Sequence, residues 1–278
     1  MSYKEKRVAI NRVALTLAVV CMVIGISFLL WILAIVCYKG FSALNLGVFL
    51  NSAAPAGYDG GGLKNALIGH AILVSAASFI GIPIGLMAGT FISEYGGAKI
   101  TKYARTASEI MTSIPSIVIG AFVYAVLVLP IGHFSGWAGA VALAIIMIPI
   151  VTGVTDSMLN LISPMQREAS AALGAKKYQT IMRVIWRGAR AGLITGALLS
   201  IARISGETAP LLFTAFNNNF VSYDLNAPIA SLSVTMFNYA TSPYADWQQL
   251  GWAAAFILLT FVFTINIIGK IGGGGWRI

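Results

Sequence analysis

The chain has 278 residues, of which 58% are hydrophobic and only 10% are charged. An ordinary soluble domain carries about 25% charged residues, so this composition excludes a single soluble globular domain. Several apolar runs are long enough for a helix to cross the roughly 30 Å hydrocarbon core of a bilayer. We therefore expect an all-α, polytopic membrane protein with no separate soluble domain.

Apolar runs and the residues that interrupt them predict six transmembrane helices. In chain order they cover residues 13–38, 66–92, 110–129, 137–159, 191–214 and 247–269. The first run is too long for the core of a cleaved signal peptide, so we interpret it as a retained span. The outer segment 216–246 has a moderately apolar middle, which favours a short helix or a re-entrant piece.

Basic residues are distributed unequally between the two sides of these spans. Fifteen of the 18 Lys and Arg residues lie in the N-terminal segment, in the loops after the second and fourth spans, and in the C-terminal tail. The alternate loops hold only Lys39 and Lys64, and Arg203 lies inside the fifth span. Because cytoplasmic loops are enriched in Lys and Arg, both termini are predicted to be cytoplasmic.

Arg203 and Glu207 place two full charges in the fifth apolar run, within ARISGETAPLL. An ionised side chain at the bilayer centre costs about 2.5–3.5 kcal/mol on insertion scales, and such residues usually mark a solute pathway. On a continuous helix the two side chains share one face, one turn apart. Pro210 removes a backbone donor, so a kink or an opening is expected there. The pair either holds neighbouring helices together or lines the route of an anion.

The anion interpretation has a chemical basis. The arginine guanidinium is permanently charged and donates two parallel hydrogen bonds to an oxyanion. A carboxylate repels an anion, but it accepts the hydrogen that phosphate still carries near neutral pH, whereas sulfate carries none. We hypothesise that Glu207 pairs with Arg203 at rest and favours a protonated oxyanion during passage.

The cytoplasmic loop after the fourth span has the pattern of a short helix followed by a turn. Ser163 and Gln166 form a capping-box pattern, and Pro164 occupies the first helical position. Gly174 suits the end of this helix, because glycine adopts the left-handed conformation at low cost. A second helix is expected to lead into the fifth span. On physical grounds this loop is either an amphipathic helix on lipid headgroups or a docking element for a cytoplasmic protein.

The segment EASAALGAKKYQTIMRVIW, which begins at Glu168, resembles the EAA loop of ABC importer permeases. Glu168, Ala169 and Gly174 match that motif, whereas Ser170 replaces its second alanine and the Ile-x-Leu-Pro ending differs. In that family the loop docks on the ATPase subunit and transmits its closure. The docking residues implied by this resemblance are Glu168, Ala169, Ala172, Leu173 and Gly174.

The chain itself has no sequence motif for catalysis. It lacks the GxxxxGK[ST] loop that cradles nucleotide phosphates, and its two histidines are isolated from any metal-binding pattern. We therefore expect a non-catalytic membrane subunit that binds no cofactor or metal, with ATP hydrolysed by a partner subunit.

A second resemblance identifies the class of solute. GETAPLLFTA (206–215) is similar to the signature of PstA-type permeases of bacterial phosphate-specific ABC importers, and PSIVIG (115–120), PIGLMAGTFISEYG (83–96) and NAPIASLSV (226–234) agree with it. It implies a type I ABC importer permease fold in the bacterial cytoplasmic membrane. The candidate residues of the solute pathway are Arg203, Glu207, Thr208 and Pro210. The implied partners are a PstC-type sister permease, two copies of a PstB-type ATPase and a PstS-type extracytoplasmic phosphate-binding protein.

We expect residues 1–278 to form one permease domain, with a tail and first span in 1–40, a core in 60–270 and a docking loop in 163–187. Two alternatives are a permease for another oxyanion and an ion-coupled secondary carrier. The EAA-like loop and the lack of an internal inverted repeat argue against the carrier.

Overall fold

A computed structural model of the chain describes residues 3–58 and 60–272. Within these residues every regular element is helical, which confirms the all-α prediction. The helices are α1 (Tyr3–Ser42), α2 (Leu46–Leu50), α3 (Lys64–Glu94), α4 (Ala98–Ser113), α5 (Ser116–Val123), α6 (Leu129–Ile131), α7 (Gly136–Asn160), α8 (Pro164–Ala172), α9 (Lys177–Thr180), α10 (Trp186–Ser205), α11 (Ala209–Thr214), α12 (Leu232–Ala240) and α13 (Ala245–Gly272). Two π-helical turns, Tyr124–Val128 and Ile181–Ile185, join α5 to α6 and α9 to α10.

Five segments of the described chain are long and apolar enough to cross a membrane as single helices. They are Lys6–Ser42, Lys64–Glu94, Gly136–Asn160, Lys177–Ser205 and Ala245–Gly272. Each overlaps a predicted span, because an apolar run of this length is a direct consequence of the thickness of the hydrocarbon core.

The third predicted span, 110–129, is not one straight helix. Lys99–Ser113 and Ser116–Ile131 meet at an angle of 94°, so the prediction of a continuous helix is wrong there. Pro115 explains the break, because its ring disfavours the helical conformation of the preceding residue. Ile114 accordingly has an extended ψ of 129°. The chain therefore turns a corner between α4 and α5.

The closest packing between long helices joins α3 to α7. Gly81, Gly85 and Gly89 recur at every fourth position of α3 and face α7. A Cβ atom at Gly85 would lie 2.6 Å from the Cβ atom of Val151, so only glycine permits this approach. Small residues at such spacing let membrane helices pack backbone to backbone. This contact packs α3 and α7 together at the centre of the fold.

Apolar clusters lie on either side of this centre. The largest contains Leu73, Val123, Leu143, Met147 and Leu211, from α3, α5, α7 and α11. A smaller cluster joins the start of α3 to α12 and α13, and another lies beneath the loop between α7 and α10. Of the two alternatives for 216–246, the structure has the short helix, α12.

Candidate translocation site

The fifth long helix ends earlier than the sequence predicts. We expected one helix over 191–214, but α10 ends at Ser205, and Gly206 to Thr208 form a break before α11. Pro210 lies in the first turn of α11, where its missing N–H needs no partner in the helix. The expected opening near Pro210 is therefore present. Pro210 starts a new helix and does not kink an old one.

Arg203 and Glu207 form an ion pair across this break. A guanidinium Nη1–H of Arg203 donates to Oε1 of Glu207. The Arg203 side chain is 59% exposed, whereas the Glu207 side chain is only 7% exposed. The carboxylate is therefore a buried anchor and the guanidinium lies at the surface of the chain. Because Nη1 is the only Arg203 nitrogen that bonds a partner within the described residues, the rest of its fork is free for an anion.

The buried side of the break is fixed by α12. The hydroxyl of Ser233 donates to the main-chain carbonyl of Glu207 over 2.8 Å. Ser231 caps α12 by accepting from the N–H of Val234, and its hydroxyl lies 3.4 Å from that of Ser233. A carbonyl in a helix break has lost its helical partner, so this bond satisfies it. Ser233 therefore holds the main chain of Glu207 in place without competing for its carboxylate.

Pro210 is in turn fixed by α5. A Cβ atom at Gly120 would lie 2.6 Å from the Cα atom of Pro210, so the two backbones touch. Pro210 and Leu211 are buried in this contact. The position of α11, and of the break before it, therefore depends on the position of α5.

Thr208 lies beside a second polar feature that the sequence did not single out. It lines a cavity of about 470 Å³ together with Lys39, Trp252 and Gln248. The ammonium of Lys39 lies 5.0 Å from the centre of the Trp252 ring, a cation–π distance. Lys39 was interpreted only as one of two basic residues in the outer loops. Its place at the end of α1 brings a cation to the cavity beside Thr208.

The loop after α7 has the predicted form of helix, turn and helix. Ser163 caps α8, although its hydroxyl accepts from the N–H of Met165 and not from that of Gln166. Gly174 has a φ of +78°, the left-handed conformation expected at the end of this helix. The docking residues implied by the resemblance are all exposed: Glu168, Ala169, Ala172, Leu173 and Gly174.

The inner side of α8 is attached to the long helices. Arg167 donates to Oε1 of Glu94 on α3 over 2.7 Å and to the carbonyl of Leu159 on α7 over 2.9 Å. Ser170, the one buried residue of α8, lies 2.9 Å from the hydroxyl of Thr180. The exposed outer side carries Leu173, which is 89% exposed.

Two carboxylates that the sequence analysis missed lie near α8, where α3 and α7 end. Asp156 on α7 accepts from Nε of Arg105 over 2.6 Å and from Nη2 over 3.0 Å. Glu94 accepts from Arg167, as described above, and its side chain is 6% exposed. The sequence alone could have singled out Asp156, because Asp156 and Glu207 are the only acidic residues inside the six predicted spans.

These helices have the fold of an ABC importer permease. The inward-facing methionine ABC transporter MetNI has a chain that superposes with a TM-score of 0.63 at 18% identity, over 77% of this chain and 94% of that one. Residues 81–272 also match the family described as "Binding-protein-dependent transport system inner membrane component".

Sequence relatives define the family more narrowly. The phosphate transport system permease protein PstA of Pasteurella multocida is 47% identical over 94% of this chain and 93% of its own length. The PstA protein of Haemophilus influenzae is 48% identical over the same shares. The chain therefore belongs to the PstA family of binding-protein-dependent transport system inner membrane components.

Proposed function

We propose that the chain is the permease subunit of an ATP-driven importer of inorganic phosphate, and that it forms half of the translocation pathway. One observation carries this proposal. In a family whose relatives are named for phosphate transport, an exposed guanidinium is held at a helix break by a buried carboxylate. The pair occupies the apolar part of the chain, where an uncompensated charge is costly.

The geometry supports different roles for the two side chains. Arg203 presents free N–H groups to the outside of the chain, where a planar fork binds an oxyanion. Glu207 lies behind the guanidinium. Its negative charge lowers the free-energy cost of keeping the cation in the apolar part of the chain when no anion is bound, and its hydrogen bond orients the guanidinium. When the oxyanion arrives, the guanidinium exchanges part of its bond to Glu207 for bonds to the solute. The carboxylate can then accept a hydrogen from a protonated oxyanion but not from sulfate.

The remaining half of the pathway belongs to the sister permease in this proposal. Two copies of an ATPase bind the exposed side of α8, and an extracytoplasmic phosphate-binding protein delivers the solute. The basic loops face the cytoplasm, so both termini are cytoplasmic and the protein lies in the bacterial cytoplasmic membrane. ATP is bound and hydrolysed by the partner, while this chain, as one permease domain, binds no cofactor.

Two rival functions make different predictions. A permease for another oxyanion would move sulfate or a related ion in preference to phosphate. A secondary carrier would move its solute without an ATPase, driven by an ion gradient.

A reconstitution experiment separates these three functions. The chain is placed in liposomes with its sister permease, ATPase and binding protein, and uptake of labelled phosphate and sulfate is measured with and without ATP. We expect phosphate uptake that requires ATP and all four components. ATP-independent uptake by the chain alone, or a preference for sulfate, would contradict the proposal.

A further inference from the structure

A polar network joins the docking helix α8 to α4, the helix that leads into the corner at Ile114 and Pro115. At one end, Arg167 of α8 is bound to Glu94 of α3 and to the end of α7. At the other end, Arg105 of α4 makes a bidentate pair with Asp156 of α7, which we name the α4–α7 ion pair. Both ends meet on α3 and α7, which pack as one body.

Asn160 and Ser93 connect the two ends of the network. The amide of Asn160, one turn after Asp156, donates to Oδ1 of that carboxylate over 2.8 Å. The hydroxyl of Ser93 lies 3.5 Å from Oδ1 of Asn160 and 3.4 Å from Oε1 of Glu94. Asn160 is therefore the second partner that orients Asp156 toward Arg105. A carboxylate held in this way presents a fixed target to a guanidinium.

A cavity lies beside the α4–α7 ion pair and makes the pair more important for holding α4 to α7. A cavity of about 600 Å³ lies between α4 and α7, lined by Ser108, Glu109 and Thr112 on one side and by Gly153 and Ser157 on the other. The cavity separates part of the facing surfaces of α4 and α7, so the ion pair is one of the contacts that hold the two helices together beside it. The Asp156 side chain is 11% exposed and that of Arg105 is 47% exposed, so the pair is partly shielded from solvent.

The helix that α4 positions leads to the translocation site. The chain turns at Ile114 and Pro115 and continues as α5, on which Gly120 touches the backbone of Pro210. Pro210 begins the helix that follows Glu207. A shift of α4 relative to α7 is therefore transmitted, through one corner and one close backbone contact, to the break that carries Arg203 and Glu207.

We propose that Arg105, Asp156 and Asn160 are positioning residues that couple the docking helix to the translocation site. When the ATPase moves α8, Arg167 carries α3 and α7 with it, and the α4–α7 ion pair makes α4 and α5 follow. Without this pair, α5 and α11 still move with α7, on which they pack, but α4 and the corner at Ile114 and Pro115 follow less closely, so the contact between α5 and Pro210 is positioned less accurately. This inference rests on the proposed function and names the contacts that transmit the movement.

The test measures coupling in the complete complex, reconstituted in liposomes with its sister permease, ATPase and binding protein. The readout is the amount of labelled phosphate taken up per ATP hydrolysed. For Arg105→Ala we expect this ratio to fall about fivefold or more, as for the loss of an interaction that couples two sites. ATP hydrolysis and complex assembly should stay close to the wild type. Lys102→Ala is the matched control, because Lys102 is a basic residue of the same helix with no ion pair among the described residues.

A charge exchange separates positioning from simple folding. The double variant Arg105→Asp/Asp156→Arg restores the attraction with the two charges exchanged between α4 and α7. We expect it to recover at least half of the phosphate uptake per ATP hydrolysed that Arg105→Ala loses. If Arg105→Ala does not assemble, Arg105→Lys decides the question, since it keeps the charge but not the bidentate bond and should give an intermediate ratio.

Either an unchanged ratio in Arg105→Ala or no recovery by the exchange would overturn the proposal. Failure of the proposed function is recognised separately, in the wild-type complex. If that complex takes up another anion, the same ratio is measured with that anion.

Discussion

The guanidinium of Arg203 lies at the surface of the chain while its partner, the Glu207 carboxylate, is buried in the break between α10 and α11. A pair that served only to hold helices together would bury both groups between those helices. The unequal exposure instead favours a cation presented to whatever lies outside this chain, with a carboxylate as its internal support. This relationship leads to the first prediction.

Glu207→Gln removes the carboxylate charge but keeps a side chain of similar shape. We expect the preference for phosphate over sulfate to fall about tenfold, because a hydrogen bond that involves a charged group contributes about 1.5–3 kcal/mol. Competitive uptake of the two labelled anions measures the ratio. Asp224→Asn is the control, since it makes the same change in an exposed loop between α11 and α12 and should leave the ratio unaltered. An unchanged ratio in Glu207→Gln would refute the role of Glu207 in selectivity.

Gly120→Ala inserts a methyl group where α5 meets Pro210. The new Cβ would lie 2.6 Å from a backbone atom, so α5 or α11 must move. Overpacking of this kind costs about 1–3 kcal/mol, and we expect both a lower thermal midpoint and slower phosphate uptake. In Gly25→Ala the added Cβ finds nothing within 4 Å, so this variant should behave like the wild type. Equal stability and uptake in the two variants would show that the contact at Pro210 is dispensable.

The docking loop gives a prediction about coupling. Gly174→Val forces a β-branched residue into a φ of +78°, and Glu168→Lys reverses an exposed charge on α8. We expect each to lower phosphate uptake per ATP hydrolysed by about fivefold or more.

Gly132→Val controls for backbone strain in that experiment. Gly132 has a φ of +83° but lies far along the chain from α8, in the turn before α7. We expect Gly132→Val to lower the stability of the protein but to leave phosphate uptake per ATP hydrolysed unchanged. Normal coupling in both docking-loop variants would contradict the assignment of α8 to the ATPase.

His70 on α3 provides a test of stability. It is 7% exposed, and both ring nitrogens are buried without a hydrogen-bond partner among the described residues. An unsatisfied buried polar group costs about 1–3 kcal/mol, so His70→Leu should raise the stability of the purified complex by that order. The exposed His133→Leu should change it by less than about 0.5 kcal/mol. A destabilised His70→Leu would indicate that a partner outside this chain binds the ring.

The sequence predicted most of the long helices because their apolar runs match the hydrocarbon thickness. It did not predict the corner at Ile114 and Pro115, since hydropathy counts apolar residues whether or not the helix axis is continuous. The same error extended the fifth span past Ser205, because the apolar residues after Pro210 belong to a separate helix buried against α5 and α7. In both places a proline marked the break.

The candidate site was predicted where its residues are close in sequence. Arg203 and Glu207 are four residues apart, and they pair as expected although Glu207 lies beyond the end of α10 and not on a continuous helix. The pairs Arg105–Asp156 and Glu94–Arg167 are separated by 51 and 73 residues, and no local pattern joins such residues. Ser233 likewise reaches Glu207 across 26 residues through the packing of α12. These contacts exist only once α3, α7 and α12 have packed.

The most direct test of the account is phosphate uptake by the reconstituted complex that carries Arg203→Ala. Loss of a hydrogen bond to a charged group, about 1.5–3 kcal/mol, predicts uptake reduced about tenfold or more in a fully assembled complex. Arg12→Ala, an exposed arginine on α1, should transport normally. Normal uptake by Arg203→Ala, or a complex that no longer assembles, would contradict the account and assign Arg203 to helix packing.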